Sequence, residues 1–126
     1  MKKKGILIVD DATFVRVRLK KIIEKMEFAE VIGEASKGDD AVSLYKELKP
    51  DLVTMDLVMP NRDGIQAIED ILSFDQTAKI VVVSAMGQKL SIEEAIEKGA
   101  KEYIKKPFND DEVFAIIARV LKNKKK

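Results

Sequence analysis

The sequence predicts an α/β domain with a parallel sheet covered by helices on both faces, and three observations predict it. Strand-like apolar runs alternate five times with segments of helical period. The most apolar runs, Ile6 to Val9, Leu52 to Met55 and Ile80 to Val83, are apolar or β-favouring at every position, as expected of strands buried on both faces. Each ends abruptly in polar residues, at Asp10-Asp11, Asp56 and Ser84. In an open α/β sheet the carboxyl ends of the strands form the edge where ligands bind.

Taken in order, Gly5 to Val9 is the first strand. A helix follows with Val15, Leu19, Ile22, Ile23 and Met26 on one face. Val31-Ile32 reads as a short, weak strand, and Ser36 to Lys49 as a helix with Ala41, Leu44, Tyr45 and Leu48 inward, stopped by Pro50. Leu52 to Asp56 is the third strand, broken by Met59-Pro60. Asp63-Gly64 opens a third helix carrying Ile65, Ile68, Ile71 and Leu72. Lys79 to Ser84 is the fourth strand. Leu90 to Lys98 forms a fourth helix presenting Ile92, Ala95 and Ile96, with Gly99 as its C-cap. Glu102 to Lys105 is a short fifth strand, and Asn109 or Asp110 caps a last helix with Val113, Ile117, Val120 and Leu121 inward. Residues 122–126 are expected to be a frayed basic tail. The charged, shorter runs at Val31 and Tyr103 belong at the sheet edges.

Composition narrows the function classes. The 126 residues suit one domain, read as spanning 1–126. A net charge of +1 argues for neither nucleic acid nor a membrane surface as partner. The chain has no cysteine and no histidine, so it supplies no thiol, no zinc-thiolate site, no imidazole base and no phosphohistidine; such groups must come from a partner. No apolar run reaches the roughly 20 residues of a membrane helix, and no signal peptide follows the basic start, which predicts a cytoplasmic protein. A charged fraction of 36%, mostly Lys and Glu, suggests a warm-growing source.

If the first, third and fourth strands are neighbours, Asp10, Asp11, Asp56, Ser84 and, from beyond the fifth strand, Lys106 converge on one rim. The acidic pair Asp10-Asp11, the run Met55-Asp56-Leu57-Val58-Met59-Pro60 followed by Asp63-Gly64, the pair Ser84-Ala85, and Gly99-Ala100 leading to Tyr103-Ile104-Lys105-Lys106-Pro107-Phe108 together resemble, along nearly the whole chain, the receiver domain of two-component response regulators. The resemblance implies a flavodoxin-like, doubly wound (βα)5 fold with strand order 2-1-3-4-5. It also implies a phospho-acceptor signalling switch rather than an enzyme acting on a separate substrate.

Three carboxylates at one rim repel, a like-charged pair at ~4 Å costing about 4 kcal/mol at an effective dielectric near 20. Lys106 supplies one positive charge. An all-oxygen donor set selects a hard divalent cation, Mg²⁺. By resemblance Asp11, Asp56 and the backbone carbonyl of Val58 bind it, with Asp10 acting partly through water. Asp56 is then the phospho-acceptor, and the metal, Lys106 and the Ser84 hydroxyl hold the phosphoryl oxygens. Lys105 is the rival for Lys106, but alternation turns adjacent side chains to opposite faces, and the resemblance assigns the lysine before proline and expects a cis Lys106–Pro107 bond. In receivers Ser84 moves toward the phosphoryl group and the aromatic at Tyr103 turns into the vacated space. That reshapes an output face expected to include Lys89, Glu94, Lys98, Tyr103 and Lys105.

The segments Asp10 to Arg16 and Ser84 to Gln88 look most like those of stand-alone chemotaxis (CheY-like) receivers, and the chain is read as leaving no room for an effector domain, so that output is expected by binding in trans. The implied partners are a histidine kinase as phosphodonor, a flagellar switch protein or archaeal adaptor as target, and a separate phosphatase with access past Ala85; the chain itself is read as a monomer. Val58 and Met86, apolar where polar side chains often orient water, predict slow spontaneous loss of phosphate. The alternatives are a phosphorelay intermediate passing phosphoryl to a histidine phosphotransfer protein, or the receiver of a larger DNA-binding regulator. A haloacid-dehalogenase-type phosphatase lacks its second acid, since Val58 stands there, and a flavin carrier lacks its phosphate loop.

Overall fold

The computed structural model describes residues 2–59, 64–85 and 87–122. It contains β1 (Lys4–Val9), α1 (Thr13–Glu24), β2 (Ala29–Ala35), α2 (Gly38–Leu48), β3 (Leu52–Asp56), α3 (Gly64–Phe74), β4 (Ile80–Ala85), α4 (Lys89–Lys98), β5 (Glu102–Lys106) and α5 (Asp110–Lys122). All strand pairs are parallel and the order is β2-β1-β3-β4-β5. The doubly wound fold and its strand order are therefore as expected, with the three most apolar strands in the centre.

Alternation along the central strands divides the core in two. Ile6 and Ile8 of β1, Leu52 of β3, and Val81 and Val83 of β4 pack with Leu19, Ile22 and Ile23 of α1 and Val113, Ile117 and Val120 of α5. Leu7, Val9, Val53, Met55, Ile80 and Val82 pack on the other face with Ala41, Tyr45, Ala67, Ile68, Ile71 and Ala95, from α2, α3 and α4. Neither face reaches water, which is why the central strands beyond Lys4 are apolar up to their carboxyl ends apart from the buried Thr54 of β3.

Local chemistry sets the helix ends. Asn109 and Glu112 form the reciprocal bonds of a capping box at the start of α5: the Glu112 N–H donates to Asn109 Oδ1 at 2.8 Å, and the Asn109 N–H to Glu112 Oε1 at 3.3 Å. Gly99 takes φ +124° and ends α4, a conformation that penalises a side chain. Asn109 and Gly99 thus cap as expected.

Several expectations are corrected. β2 is longer than the Val31-Ile32 core of its sequence signal, because as an edge strand it alternates half-exposed and exposed residues instead of running apolar. Lys106 is the last residue of β5 rather than a loop residue, and Lys122 closes α5 rather than opening a tail. Ile96 is not inward; it is 40% exposed on the flank of α4. Pro60, Asp63 and Met86, and residues 123–126 of the expected tail, lie outside the described residues.

Candidate functional site

At the carboxyl end of β1 the chain leaves the sheet through Asp10. Its N–H still pairs with the Ala35 carbonyl of β2 at 3.0 Å, while its Oδ1 accepts the Ala12 N–H at 2.9 Å, turning the backbone into α1. Asp10 itself is buried and Asp11, next in the turn, is exposed. Arg16, one turn into α1, donates from Nη1 to the Asp10 carbonyl at 2.7 Å and pairs through Nε with Glu34 at 3.1 Å, tying the turn to β2.

β3 lies between β1 and β4 and delivers Asp56 at its last position, only 5% exposed. The Val58 N–H donates to Asp56 Oδ1 at 3.3 Å. The chain returns to start α3 directly over this strand end: the Gly64 N–H meets the Leu57 carbonyl at 2.9 Å, and a Cβ on Gly64 would stand 2.1 Å from the Asp56 carbonyl oxygen. Only glycine permits that approach.

From the other side β5 brings Lys106, whose Nζ lies 3.0 Å from Asp10 Oδ2 and 3.8 Å from Asp56 Oδ1. The contact with Asp10 is an ion pair without hydrogen-bond geometry, since Asp10 Oδ2 has no hydrogen-bond partner among the described residues. Lys105 is exposed, as alternation requires. The Lys106–Pro107 bond is cis. Beyond it, Arg18 of α1 donates to the Phe108 carbonyl at 2.9 Å and stacks over its ring at 5.0 Å, anchoring the segment that carries the lysine.

Carboxylate oxygens of Asp10, Asp11 and Asp56 all lie within 4.8 Å of one another. Burial first, and the Asp10 charge second, push the Asp56 carboxyl up from 3.8 to about 6; Lys106 and the Val58 N–H oppose this, and Asp11 adds to it. One lysine thus leaves the acidic group under-neutralised. Oxygen donors on opposite sides of a Mg²⁺ ion are about 4.2 Å apart, so the three carboxylates fit a small hard cation with modest closure.

Ser84 stands apart from this cluster. Its neighbours of like parity, Ile80 and Val82, face α2 to α4, so alternation gives its side chain to that face rather than to that of Asp10, Asp56 and Lys106. Its hydroxyl is bonded to Gln88 Oε1. On the same face Tyr103, Lys105, Lys89, Gln88, Ile92 and Ile96 line a groove of about 730 Å³ between α4 and β5. Lys98 points away from it and pairs with Glu69 of α3 at 2.8 Å, and Glu94 is exposed without lining it. The sequence reading missed Arg16, Arg18 and Gln88. The arginines carry no local signal, because their partners Glu34 and Phe108 are remote in sequence.

A parallel five-stranded sheet with three carboxylates and a lysine at the ends of its central strands and β5 is the architecture of a receiver-type signalling domain. The family model described as "Response regulator receiver domain" matches residues 6–118, and the chain belongs to this family. It is 53% identical over 119 residues to the chemotaxis protein CheY of Thermotoga maritima, covering 94% of this chain and 98% of that protein. It is 47% identical over 116 residues to protein CcdB of Bacillus subtilis, covering 92% and 96%. Among solved structures it is similar to the CheX-CheY-BeF3-Mg complex of Borrelia burgdorferi, with a TM-score of 0.90, 33% identity, and coverage of 97% of this chain and 92% of that one.

Proposed function

We propose that this chain is a CheY-like response regulator, acting in the cytoplasm as a single receiver domain that accepts a phosphoryl group from a histidine kinase on Asp56. The observation that carries the reading is a nearly buried carboxylate at the end of the central strand, with Asp10, Asp11 and Lys106 gathered around it. An Asp56 oxygen attacks phosphorus; the O–P bond forms as the N–P bond of the donor phosphohistidine breaks, and the leaving imidazole nitrogen keeps the electron pair. Asp11, Asp56 and the Val58 carbonyl, with Asp10 in support, would hold Mg²⁺, which when bound neutralises the charge gathered on the phosphoryl oxygens. Lys106 and Ser84 bind the remaining oxygens.

Output is binding in trans through the groove beside Tyr103. The match to 98% of the length of the Thermotoga maritima CheY favours a chemotaxis target, a flagellar switch protein or an archaeal adaptor. The presence of CheX with CheY and BeF3 in the Borrelia burgdorferi structure favours a second protein partner for the loaded domain, in the place the reading gives to a separate phosphatase.

Two measurements test this. With acetyl phosphate and Mg²⁺, a phosphate-affinity gel should resolve one phosphorylated species that is absent in Asp56→Asn and in EDTA; a phosphorylated Asp56→Asn would end the assignment. Beryllofluoride-loaded protein should then retain a flagellar switch component from native extract. Retention of a histidine phosphotransfer protein instead would make the chain a relay intermediate.

A further inference from the structure

We infer that Gln88 is a positioning residue that holds Ser84 away from the acidic rim in the unmodified protein and links it to α4. The inference rests on the proposed phosphorylation of Asp56 and concerns how that event is regulated.

Gln88 Oε1 takes two bonds, one from the Ser84 hydroxyl and one from the Ala85 N–H at 2.9 Å. The second bond fixes the orientation of the amide, because a backbone N–H can meet only an acceptor. The atom facing Ser84 is therefore the carboxamide oxygen, and the Ser84 hydroxyl must donate to it. A serine has one proton to donate, so a hydroxyl that donates to Gln88 cannot also donate to an oxygen at the rim. Ser84 is fully buried, so bulk solvent does not compete for its hydroxyl. Engaging a phosphoryl oxygen on Asp56 therefore requires that Ser84 leave Gln88.

Gln88 is also the first residue of the α4 turn. Its carbonyl accepts the Ile92 N–H at 2.9 Å, while its side chain bonds back to β4 instead of capping the helix. It follows Gly87, whose φ of +92° and open surroundings let the loop adjust. Gln88 lines the groove with Tyr103, Ile92 and Lys105. One side chain thus spans from the serine at the rim to the face proposed for output. Once Ser84 departs, the Gln88 carboxamide loses one of its two ties to β4 and the α4 end of the groove loosens.

The test is a double-mutant cycle on beryllofluoride affinity at saturating Mg²⁺, read by isothermal titration calorimetry on wild type, Gln88→Met, Ser84→Ala and the double variant. Methionine matches the length of glutamine and offers no comparable acceptor; Gln88→Ala serves as a second truncation. Since a neutral hydrogen bond contributes a factor of roughly 2 to 12, both Gln88 variants should bind beryllofluoride about 2- to 12-fold more tightly than wild type. In the Ser84→Ala background the same substitutions should change nothing, because no hydroxyl remains to be held. A merely structural role for Gln88 in the loop would act equally in both backgrounds. Unchanged or weakened binding in the Gln88 variants, or an effect that persists without Ser84, overturns the latch. Failure of the wild type itself to bind beryllofluoride overturns the phospho-acceptor reading, and the latch with it.

Discussion

At pH 7 the Asp56 carboxylate is ionised in surroundings that resist the charge. Burial and the Asp10 carboxylate raise its pKa from 3.8 to about 6, and Lys106 only partly compensates. The folded protein therefore holds a proton between pH 4 and 6 that the unfolded chain has released. The contribution of Asp56 to stability is most favourable below pH 4, falls as pH rises through this window, and is flat above it. Asp56→Asn removes the cost. In EDTA the variant should be more stable than wild type by roughly 1–3 kcal/mol at pH 8 and by nothing measurable at pH 4, as each pKa unit corresponds to 1.36 kcal/mol. Urea unfolding at the two pH values checks this; an equal difference at both would mean that the charge is not the cause. Asp56 itself was legible in the sequence, as a carboxylate placed where an apolar strand breaks. The dominance of burial and Asp10 over Lys106 was not, because it depends on distances between groups remote in sequence.

At the level of elements, the site is held together by the start of α3 lying against the end of β3. A Cβ on Gly64 would meet the Asp56 carbonyl oxygen at 2.1 Å and the Leu57 Cα at 2.7 Å, both backbone atoms that cannot rotate away. Gly64→Ala must therefore push α3 off the strand end, at a cost of roughly 1–3 kcal/mol, and displace Asp56 from Asp10 and Asp11. Urea unfolding should show the loss and Mg²⁺ titration a weaker site; an alanine variant within experimental error of wild type on both would mean that the helix start yields freely. The sequence placed Gly64 at a helix start but not against a carbonyl. Fully buried strands and amphipathic helices were readable because their period is imposed by burial on known faces. β2 was not fully readable, since an edge strand with Glu30, Gly33 and Glu34 has neither a continuous apolar run nor a strong β-former at every step. Ile96 misled for a related reason: its helical period is correct, but α4 covers the sheet with Ala95 and leaves Ile96 on the open flank beside β5.

Across the whole molecule, the acidic rim and the α4–β5 groove use opposite faces of one sheet. Asp10, Asp56 and Lys106 share the side of α1 and α5, while Ser84, Tyr103 and Lys105 share the side of α4. If charge added to Asp56 is to reshape the groove, its effect has to cross the sheet, and Ser84, at the end of β4 between the two, is placed to carry it. If Ser84 moves toward a loaded Asp56, the space it leaves opens on the Tyr103 side, and the ring gains from leaving water. The composition makes this measurable without a label. The chain has two tyrosines and no tryptophan; Tyr45 is 2% exposed and Tyr103 46% exposed. Acrylamide quenching of tyrosine emission therefore reports mainly Tyr103, with Tyr45 as a shielded background. Adding Mg²⁺ and beryllofluoride should reduce the quenching slope in wild type, leave it unchanged in Asp56→Asn, and leave only the weak Tyr45 component in Tyr103→Phe. An unchanged slope in a protein that calorimetry shows to be loaded would mean that Tyr103 stays outside, and that the signal leaves the site by another route than the ring.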